Sequence, residues 1–367
     1  MIDKRKAVGQ IEAATGDSQP ELRLSVIVPA RNEAASLGAC LESLLSQSEP
    51  GFALGQQWEL IVVDDDSMDA TRQIAETAAA GREGVLVAEA PALDLTDRGG
   101  FTGKTNACWF AAQKARGAWL LFTDADTVHE PGDLSRAIHE AQKYDAALLS
   151  YSPRQLVNGF WQRVVMPLVF AELATAYPPK QVSSPASSIA AANGQFLMVE
   201  REAYFSVGGH RVIGKEILED VALARAIKRA KYGIRFRHAP DALATRMYRT
   251  LPDMIEGWTK NLALLFPSPI LMAAMQMLQF LLFFGPPALA YSMPLLVAWQ
   301  RGAILVVWLR AVWGFYNRVS RSHFPAADVA LSILGVPLFS WLLIRSSLQR
   351  RVHKSVPWKG RNYKVRR

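Results

Sequence analysis

The sequence has little cysteine and no apolar segment at its start. Its two cysteines, Cys40 and Cys108, form no Cys-x-x-Cys pair, which argues against a disulfide framework and against the ligand spacing of a structural zinc site. Residues 1–22 contain no apolar core, so we expect neither a signal peptide nor an anchor there. The pattern predicts a flexible leader followed by a domain of the cytosolic type.

Acidic residues are nearly absent from the last third of the chain. From Leu262 onward there are 13 Lys or Arg residues and one acid, Asp328, whereas the part before has 28 basic and 32 acidic residues. The net charge of +8 thus comes from basic residues that flank hydrophobic segments, as on the cytoplasmic side of membrane proteins. We expect no nucleic-acid partner, because the soluble part carries no excess of positive charge.

Charged residues are missing altogether between Lys260 and Arg301. A helix needs about 20 residues to cross the hydrocarbon core of a bilayer. Forty uncharged residues with a Gly-Pro-Pro sequence at 285–287 therefore predict a hairpin of two membrane passes.

Two further apolar segments leave the number of passes open. Residues 302–321 are interrupted by Arg310, and residues 329–344 are only sixteen in number. We therefore expect two to four membrane helices over residues 262–345. Basic residues without any acid over residues 346–367 predict a cytoplasmic tail near anionic headgroups. The whole is expected to be an integral protein of the inner (plasma) membrane, with its soluble part in the cytoplasm.

The soluble part, residues 23–261, alternates apolar runs with helical stretches. The apolar runs occupy residues 24–30, 58–67, 85–90 and 118–126. Continuous apolar strands separated by helices predict an α/β fold with a mostly parallel sheet covered on both faces. Ligands bind beyond the carboxyl ends of such strands, where the acids that end the second and fourth runs would meet the turn after the first. The apolar stretch 159–179 is compatible with a core helix or with a helix lying in the membrane interface.

Asp124 and Asp126 follow the fourth apolar run, one residue apart. On an extended chain both carboxylates point the same way and can meet one ligand. Carboxylates without cysteine nearby form a hard oxygen site suited to Mg²⁺ or Mn²⁺, and Mg²⁺ commonly bridges one or two carboxylates and substrate phosphates. A surface loop could also hold two aspartates, but their position at the end of a buried strand favours a site.

Other charged groups would lie at the same edge of the sheet. Asp64, Asp65 and Asp66 are more acids than one helix cap requires, so Asp64 or Asp65 is a candidate to accept hydrogen bonds from a base or ribose. Lys104 opens a helix after a Gly-rich turn, and is either a solvated lysine or a phosphate contact. The spacing of a P-loop is absent.

Glu219 and Asp220 form a third acidic position. They stand at the start of a predicted helix, where acids stabilise the helix dipole without any further role. The alternative interpretation is a general base at the edge of the nucleotide cleft.

Six ordered motifs resemble those of the family 2 glycosyltransferases, over residues 24–262. They are VIVPARNE, IVVDDDSMD, TGKTNA, FTDAD, NGQFLMVER with VGGH, and LEDV. The resemblance implies a nucleotide-diphospho-sugar transferase domain of the GT-A type followed by membrane helices. The hydrophobic C-terminal segments and VPWKGRNY are similar to membrane-bound members that glycosylate carotenoids, hopanoid-related lipids or ceramide. The Gln-x-x-Arg-Trp sequence of processive synthases is missing.

The resemblance also implies residue roles. Those implied for nucleotide-sugar binding are Pro29, Arg31, Glu33, Asp64, Asp65, Lys104 and Asp124. Asp126 and Asp124 would hold Mg²⁺ or Mn²⁺, and Asp220 beside Glu219 would be the catalytic base. Gln195, Trp161 and Trp258 are candidates for the acceptor side.

The expected reaction is an inverting, metal-dependent transfer of a sugar from a nucleotide sugar, expected to be UDP-linked, to a hydroxyl of a membrane lipid. Two alternatives stay open. One is a polyprenyl-phosphate glycosyltransferase, whose anionic acceptor needs no base. The other is a non-catalytic membrane scaffold that keeps a transferase-like domain.

Overall fold

The computed structural model describes most of the chain. The described backbone covers residues 22–93, 100–292, 297–353, 355–358 and 361–364, with side chains up to residue 351. The leader expected over residues 1–22 lies outside these residues except for its last position, as do the side chains of the basic tail beyond residue 351.

Strands and helices alternate through the first half of the chain, and helices dominate the last third. The strands are β1 Leu24–Ala30, β2 Trp58–Asp64, β3 Val85–Glu89, β4 Trp119–Phe122, β5 Thr127–His129, β6 Leu148–Ser152, β7 Arg154–Gln155, β8 Leu197–Glu200, β9 Ile234–His238, β10 Leu243–Thr245, β11 Ser355–Trp358 and β12 Arg361–Lys364. The α-helices are α1 Leu37–Leu45, α2 Thr71–Ala79, α3 Gly103–Lys114, α4 Asp133–Lys143, α5 Gly159–Ala176, α6 Pro179–Ser183, α7 Arg201–Ser206, α8 Gly209–Val212, α9 Glu219–Arg229, α10 Leu251–Leu265, α11 Pro269–Ser292, α12 Ala298–Val319, α13 Ala326–Leu331 and α14 Val336–His353.

The central sheet has seven strands in the order β3-β2-β1-β4-β8-β6-β9. β1 pairs in parallel with both β2 and β4, and β2 pairs in parallel with β3. β8 runs against its neighbours, pairing antiparallel with β4 and β6. The prediction of an α/β fold with a mostly parallel sheet is confirmed. β1 and β2 are almost entirely buried because helices cover both faces of the sheet.

Successive residues of β1 point to opposite faces of the sheet. Val26 and Val28 pack with Leu41 of α1 in one core cluster, and Ile27 packs with Ala111 of α3 in another. Two cores thus hold the sheet between α1 and α3, and its carboxyl edge is left for the loops that follow β1, β2 and β4.

The two aspartates of FTDAD do not lie on a strand. β4 ends at Phe122, and residues 123–126 form a turn into β5. The prediction that the strand extends to residue 126 is therefore wrong. The turn is fixed locally, because the Thr127 hydroxyl donates to the Asp124 carbonyl at 2.7 Å and the Thr123 hydroxyl donates to the Gln195 carbonyl at 2.8 Å.

The Gly-Pro-Pro sequence does not break its helix. α11 runs unbroken from Pro269 to Ser292, so the hairpin predicted at residues 285–287 is wrong. A proline removes one backbone donor and displaces one carbonyl, which a long apolar helix can tolerate. Among the described residues two helical segments are long and apolar enough to cross a membrane, Pro269–Ser292 and Ala326–Arg351. The first is almost wholly exposed, and the second is half-buried.

α5 joins the sheet domain to the C-terminal helices. Val165 lies in a core cluster with Trp258 of α10, Phe315 of α12 and Phe339 of α14. Of the two interpretations for residues 159–179, a core helix describes this middle part. The first turn of α5 differs, because Phe160 there is 49% exposed.

Three polar side chains form a cluster inside the same junction between α5 and the C-terminal helices. The Gln276 side chain of α11 donates to the Glu172 carboxylate of α5 at 2.7 Å, and Arg318 Nε of α12 lies 3.2 Å from the same oxygen. A buried carboxylate needs such partners. The three residues therefore fix the mutual positions of α5, α11 and α12.

Candidate active site

Lys104 is held between two carboxylates at the start of α3. Its Nζ lies 2.7 Å from Asp124 Oδ1 and 2.7 Å from Glu219 Oε1. The helix starts here because Thr102 and Thr105 cap each other's backbone N–H groups. Burial alone would lower the pKa of Lys104, but the two carboxylates raise it well above its ordinary value. Lys104 therefore stays charged and links the loop after β4 to the start of α9.

Asp220 lies beside this ion pair and is held by two backbone donors. The Gly194 N–H donates to Asp220 Oδ2 at 2.9 Å, and the Val221 N–H donates to Oδ1 at 2.7 Å. Burial and the neighbouring charge of Glu219 raise the pKa of Asp220 to about 7, although Lys104 opposes that rise. A carboxylate that gains and loses a proton near neutral pH is suited to general-base work.

The pKa of the adjacent residue, Glu219, is shifted in the opposite direction. Burial would raise its pKa, but Lys104 and the hydrogen bonds it receives bring the pKa below its ordinary value. Two neighbouring carboxyl groups are thus separated into one that stays charged and one that titrates. Such a separation is a feature of acid–base sites.

The loops after β1 and β2 are joined by Arg31. Its guanidinium donates to the Asp65 carbonyl and to the Asp66 carbonyl at 2.7 Å. The Glu33 backbone N–H donates to the Thr71 hydroxyl at 2.7 Å. Pro29 lies in β1 opposite Val63 of β2, so the structure brings Pro29, Arg31, Glu33, Asp64 and Asp65 together at the carboxyl edge of the sheet.

Asp64 has spare hydrogen-bonding capacity at this edge. It is only 5% exposed, and its Oδ2 accepts from the Ser67 N–H at 3.3 Å. No donor within the described part of the chain reaches its buried Oδ1. Buried carboxylate oxygens are normally satisfied, so this atom fits a ligand N–H or O–H, such as that of a base or ribose.

The turn with Asp124 and Asp126 offers hard oxygen ligands. No group of three or more His, Cys, Asp and Glu side chains suited to a metal occurs among the residues that the structure describes. Each carboxylate can supply an oxygen to a cation such as Mg²⁺, which takes its remaining ligands from water and substrate phosphates, but the turn removes the common direction that an extended strand would give the two side chains. Asp124 is already bonded to Lys104, which makes Asp126 the principal candidate ligand.

The three acceptor-side candidates lie in different surroundings. Gln195 is buried behind the Asp126 turn, where its side chain donates to the Thr245 hydroxyl at 3.1 Å, which in turn donates to the Asp126 carbonyl at 3.2 Å. Trp258 is 2% exposed and belongs to the core of the C-terminal junction. Trp161 is 43% exposed in the first turn of α5. Of the three, Gln195 is the one that a chain of hydrogen bonds connects to the aspartate turn.

Gly194 is the site residue that sequence reasoning missed. A Cβ atom there would lie 2.9 Å from Lys104 Nζ and 3.4 Å from Glu219 Oε1, so a side chain at this position would have to displace the Lys104 ammonium group. The motif NGQF contained the signal, because an isolated glycine before a strand often marks a close approach of the backbone.

Comparison with known proteins identifies a family and several relatives. The family described as glycosyl transferase family 2 matches residues 25–218, which ends one residue before Glu219. The 4,4'-diaponeurosporenoate glycosyltransferase of Staphylococcus haemolyticus is 26% identical over 356 residues, covering 94% of this chain and 89% of that protein. The protein of the same name from Staphylococcus aureus is 25% identical over 362 residues, covering 93% and 88%.

A solved structure shows the same fold. The mannosyltransferase PcManGT from Pyrobaculum calidifontis, in complex with GDP-Man and Mn²⁺, superposes with a TM-score of 0.50 at 18% identity. The superposition covers 90% of this chain and 88% of that one. The shared architecture is an α/β domain of the GT-A type.

Proposed function

The chain belongs to glycosyl transferase family 2, and from this premise we propose that it transfers a sugar from a nucleotide sugar to a hydroxyl of a membrane lipid, with inversion. The observation that carries the proposal is Asp220, a carboxylate oriented by Gly194 whose pKa is raised to about 7. That position and that pKa fit the base of a single displacement.

The reaction needs one base. Asp220 takes the proton from the acceptor hydroxyl as its oxygen attacks the anomeric carbon of the donor sugar. The bond from that carbon to the diphosphate breaks on the opposite face, so the configuration inverts and the nucleoside diphosphate leaves. Glu219 and Lys104 form an ion pair beside Asp220, and both keep their charges while Asp220 gains the proton.

The donor would occupy the carboxyl edge of the sheet. Asp64 and Asp65, with the loop that Arg31 fixes, would bind the nucleoside, which we expect to be UDP-linked. Asp126, with Asp124, would hold Mg²⁺ or Mn²⁺, and the ion when bound offsets charge on the leaving diphosphate. The mannosyltransferase of the same fold holds Mn²⁺ together with GDP-Man, which supports this cofactor.

A lipid acceptor is supported by two independent observations. The sequence relatives are named for glycosylation of 4,4'-diaponeurosporenoate. Two C-terminal segments, Pro269–Ser292 and Ala326–Arg351, have the length and hydropathy of membrane helices. We propose that they anchor the protein in the inner membrane with its catalytic domain on the cytoplasmic side, which the basic residues of the tail favour.

The test is nucleoside diphosphate release from UDP- and GDP-sugars by the full chain in detergent micelles with a lipid extract and Mn²⁺ or Mg²⁺. Asp220→Asn should lower turnover about 100- to 10,000-fold, and Asp126→Ala should abolish metal stimulation. Glu42→Gln, an exposed carboxylate of α1, is the matched control and should be unaffected. Full activity of Asp220→Asn would indicate an acceptor oxygen that is already anionic, such as that of a phosphate, and no turnover of any donor would favour a scaffold.

A further inference from the structure

A cavity of about 480 Å³ lies at the start of α9. Its lining includes Val212 of α8, the loop 213–218 and Ala222 of α9. Leu218 and Ala222 flank the Glu219–Asp220 pair in the chain. The opposite wall is formed by Leu264 of α10 and Arg350 of α14. The cavity therefore adjoins the start of α9, although neither Glu219 nor Asp220 lines it, and it is bounded by α10 and by α14, of which α14 is assigned to the membrane.

The loop that lines the cavity is hydrogen-bonded to the start of α3, next to Lys104. The Gly214 carbonyl accepts hydrogen bonds from the Thr102 N–H at 2.7 Å and from the Thr105 hydroxyl at 2.6 Å. Those two threonines cap α3 and so position Lys104, the cation between Asp124 and Glu219. Any group bound in the cavity is thereby held at a defined place relative to the base.

Positive charge predominates on the cavity walls. Among the described residues, Lys215, Arg225 and Arg350 line the cavity together with one acid, Glu216. They come from three separate elements, a loop, α9 and α14, so their convergence is a property of the fold. An excess of cations in a concave site attracts an anion, and arginine binds carboxylate or phosphate through two parallel hydrogen bonds.

Both arginines are held in place by the protein. Arg350 donates to the Ala263 carbonyl at 2.7 Å, and Arg225 lies beside the Tyr177 hydroxyl, which donates to the Leu265 carbonyl at 2.9 Å. Each contact ties a cation to the end of α5 or α10. Fixed cations lose little entropy on binding an anion.

We propose that this cavity binds an anionic group of the acceptor lipid, a carboxylate or a phosphate, through Lys215, Arg225 and Arg350. The proposal rests on the proposed function and narrows its acceptor from any lipid hydroxyl to an acidic lipid. The anion is the anchor, and the hydroxyl that reacts is presented to Asp220. A lipid that enters along α11 and α14 meets the Arg350 wall as its headgroup leaves the membrane.

The first test measures binding without catalysis. The full chain in neutral detergent micelles is titrated with three probes of one chain length: hexadecyl phosphate, hexadecanoate and hexadecanol. At least one anion should bind more tightly than the alcohol, and the tighter of the two identifies phosphate or carboxylate. Arg225→Gln and Lys215→Gln should each weaken that binding about 10-fold, the loss of one charge-assisted contact.

Controls separate the cavity from general surface charge. Arg229→Gln removes an exposed cation one turn further along α9, outside the cavity, and should leave binding unchanged. Arg350→Gln could also loosen α14, so its melting temperature is compared with that of the parent. Equal binding of alcohol and anions, or an equal loss in Arg229→Gln, would overturn the proposal.

The second test distinguishes the cavity from the donor site. With an active donor, Arg225→Gln should raise the KM for the acidic acceptor and leave the KM for the nucleotide sugar unchanged. A raised donor KM with an unchanged acceptor KM would assign the cavity to the donor and contradict the proposal. Absence of turnover with any donor would refute the proposed function, while the probe titration would still decide whether the cavity binds anions.

Discussion

The backbone N–H of Gly194 donates a 2.9 Å hydrogen bond to Asp220 Oδ2. The donor precedes β8 and the acceptor lies in the first turn of α9, so one contact joins two elements that are distant in the chain. A Cβ at this position would lie 2.9 Å from Lys104 Nζ, so the absence of a side chain leaves room for the Lys104 ammonium group beside this contact. Backbone N–H groups therefore orient the proposed base, and the glycine keeps space for its cationic neighbour.

Replacing Gly194 by alanine should impair catalysis more than folding. The added methyl group must displace Lys104 Nζ, the end of a flexible side chain, and so disturb the group around Asp220. We expect kcat to fall about 10- to 100-fold, the effect of a small misplacement in an active site, with little change in melting temperature. Gly38→Ala on α1, whose nearest neighbour would be 4.0 Å away, is the control. A full-rate Gly194→Ala enzyme would refute the role given to this contact.

Activity should depend on pH through Asp220. In the free enzyme the pKa of Asp220 is raised to about 7 by burial and by the charge of Glu219. Asp220 must be unprotonated to act as a base. Below pH 7, kcat/KM should therefore fall about 10-fold per pH unit, and above it should level off. A profile of kcat/KM from pH 5 to 9 checks this. An acid limb that persists in the residual activity of Asp220→Asn would assign the titration to another group.

Substitutions of Lys104 and Glu219 should shift the acid limb of the kcat/KM profile in opposite directions. Lys104 lowers the pKa of Asp220, whereas Glu219 raises it. Lys104→Met should therefore shift the limb to higher pH, and Glu219→Gln should shift it to lower pH. Both variants should be slower than the parent, so the shifts are measured on kcat/KM normalised to each variant's plateau. Shifts of equal sign would show that the two substitutions act by disrupting the fold.

The buried cluster of Glu172, Gln276 and Arg318 between α5, α11 and α12 should contribute to the stability of the protein. Arg318→Ala leaves the Glu172 carboxylate, only 10% exposed, without its cation. We expect a loss of roughly 2–3 kcal/mol, somewhat below the usual cost of breaking a buried pair because Arg318 is partly exposed. Thermal unfolding in detergent measures it. The double replacement Glu172→Leu with Arg318→Leu should recover most of the loss, and a failure to recover would show that packing of the arginine stem dominates.

The sequence predicts the parts of the site that local patterns encode. β1, β2 and β3 are predominantly apolar runs. The observed bounds of β1 and β3 match the predicted ones to within one residue, whereas β2 ends at Asp64, three residues before the predicted end at residue 67. The acids that follow β2 and β4 were expected at one edge of the sheet because parallel strands share a carboxyl edge. Asp64 and Asp124 are found there for that reason.

Long-range contacts are what the sequence does not reveal. The bond between Gly194 and Asp220, and the position of Lys104 between Asp124 and Glu219, arise where separate elements pack. The end of β4 at Phe122 depends on Thr123 and its contact with the carbonyl of Gln195, which no local pattern contains. For the same reason the three cations of the cavity, taken from a loop and two helices, form no motif in the chain.

The packing of α5 against α14 also constrains the order of biogenesis. Val165 emerges from the ribosome long before Phe339, its companion in one core cluster. Until the last helix is synthesised, an apolar face of the nascent catalytic half has no permanent cover. The core around α5 can therefore be completed only after the C-terminal helices have been made, whereas the two cores of the sheet contain no residue of those helices.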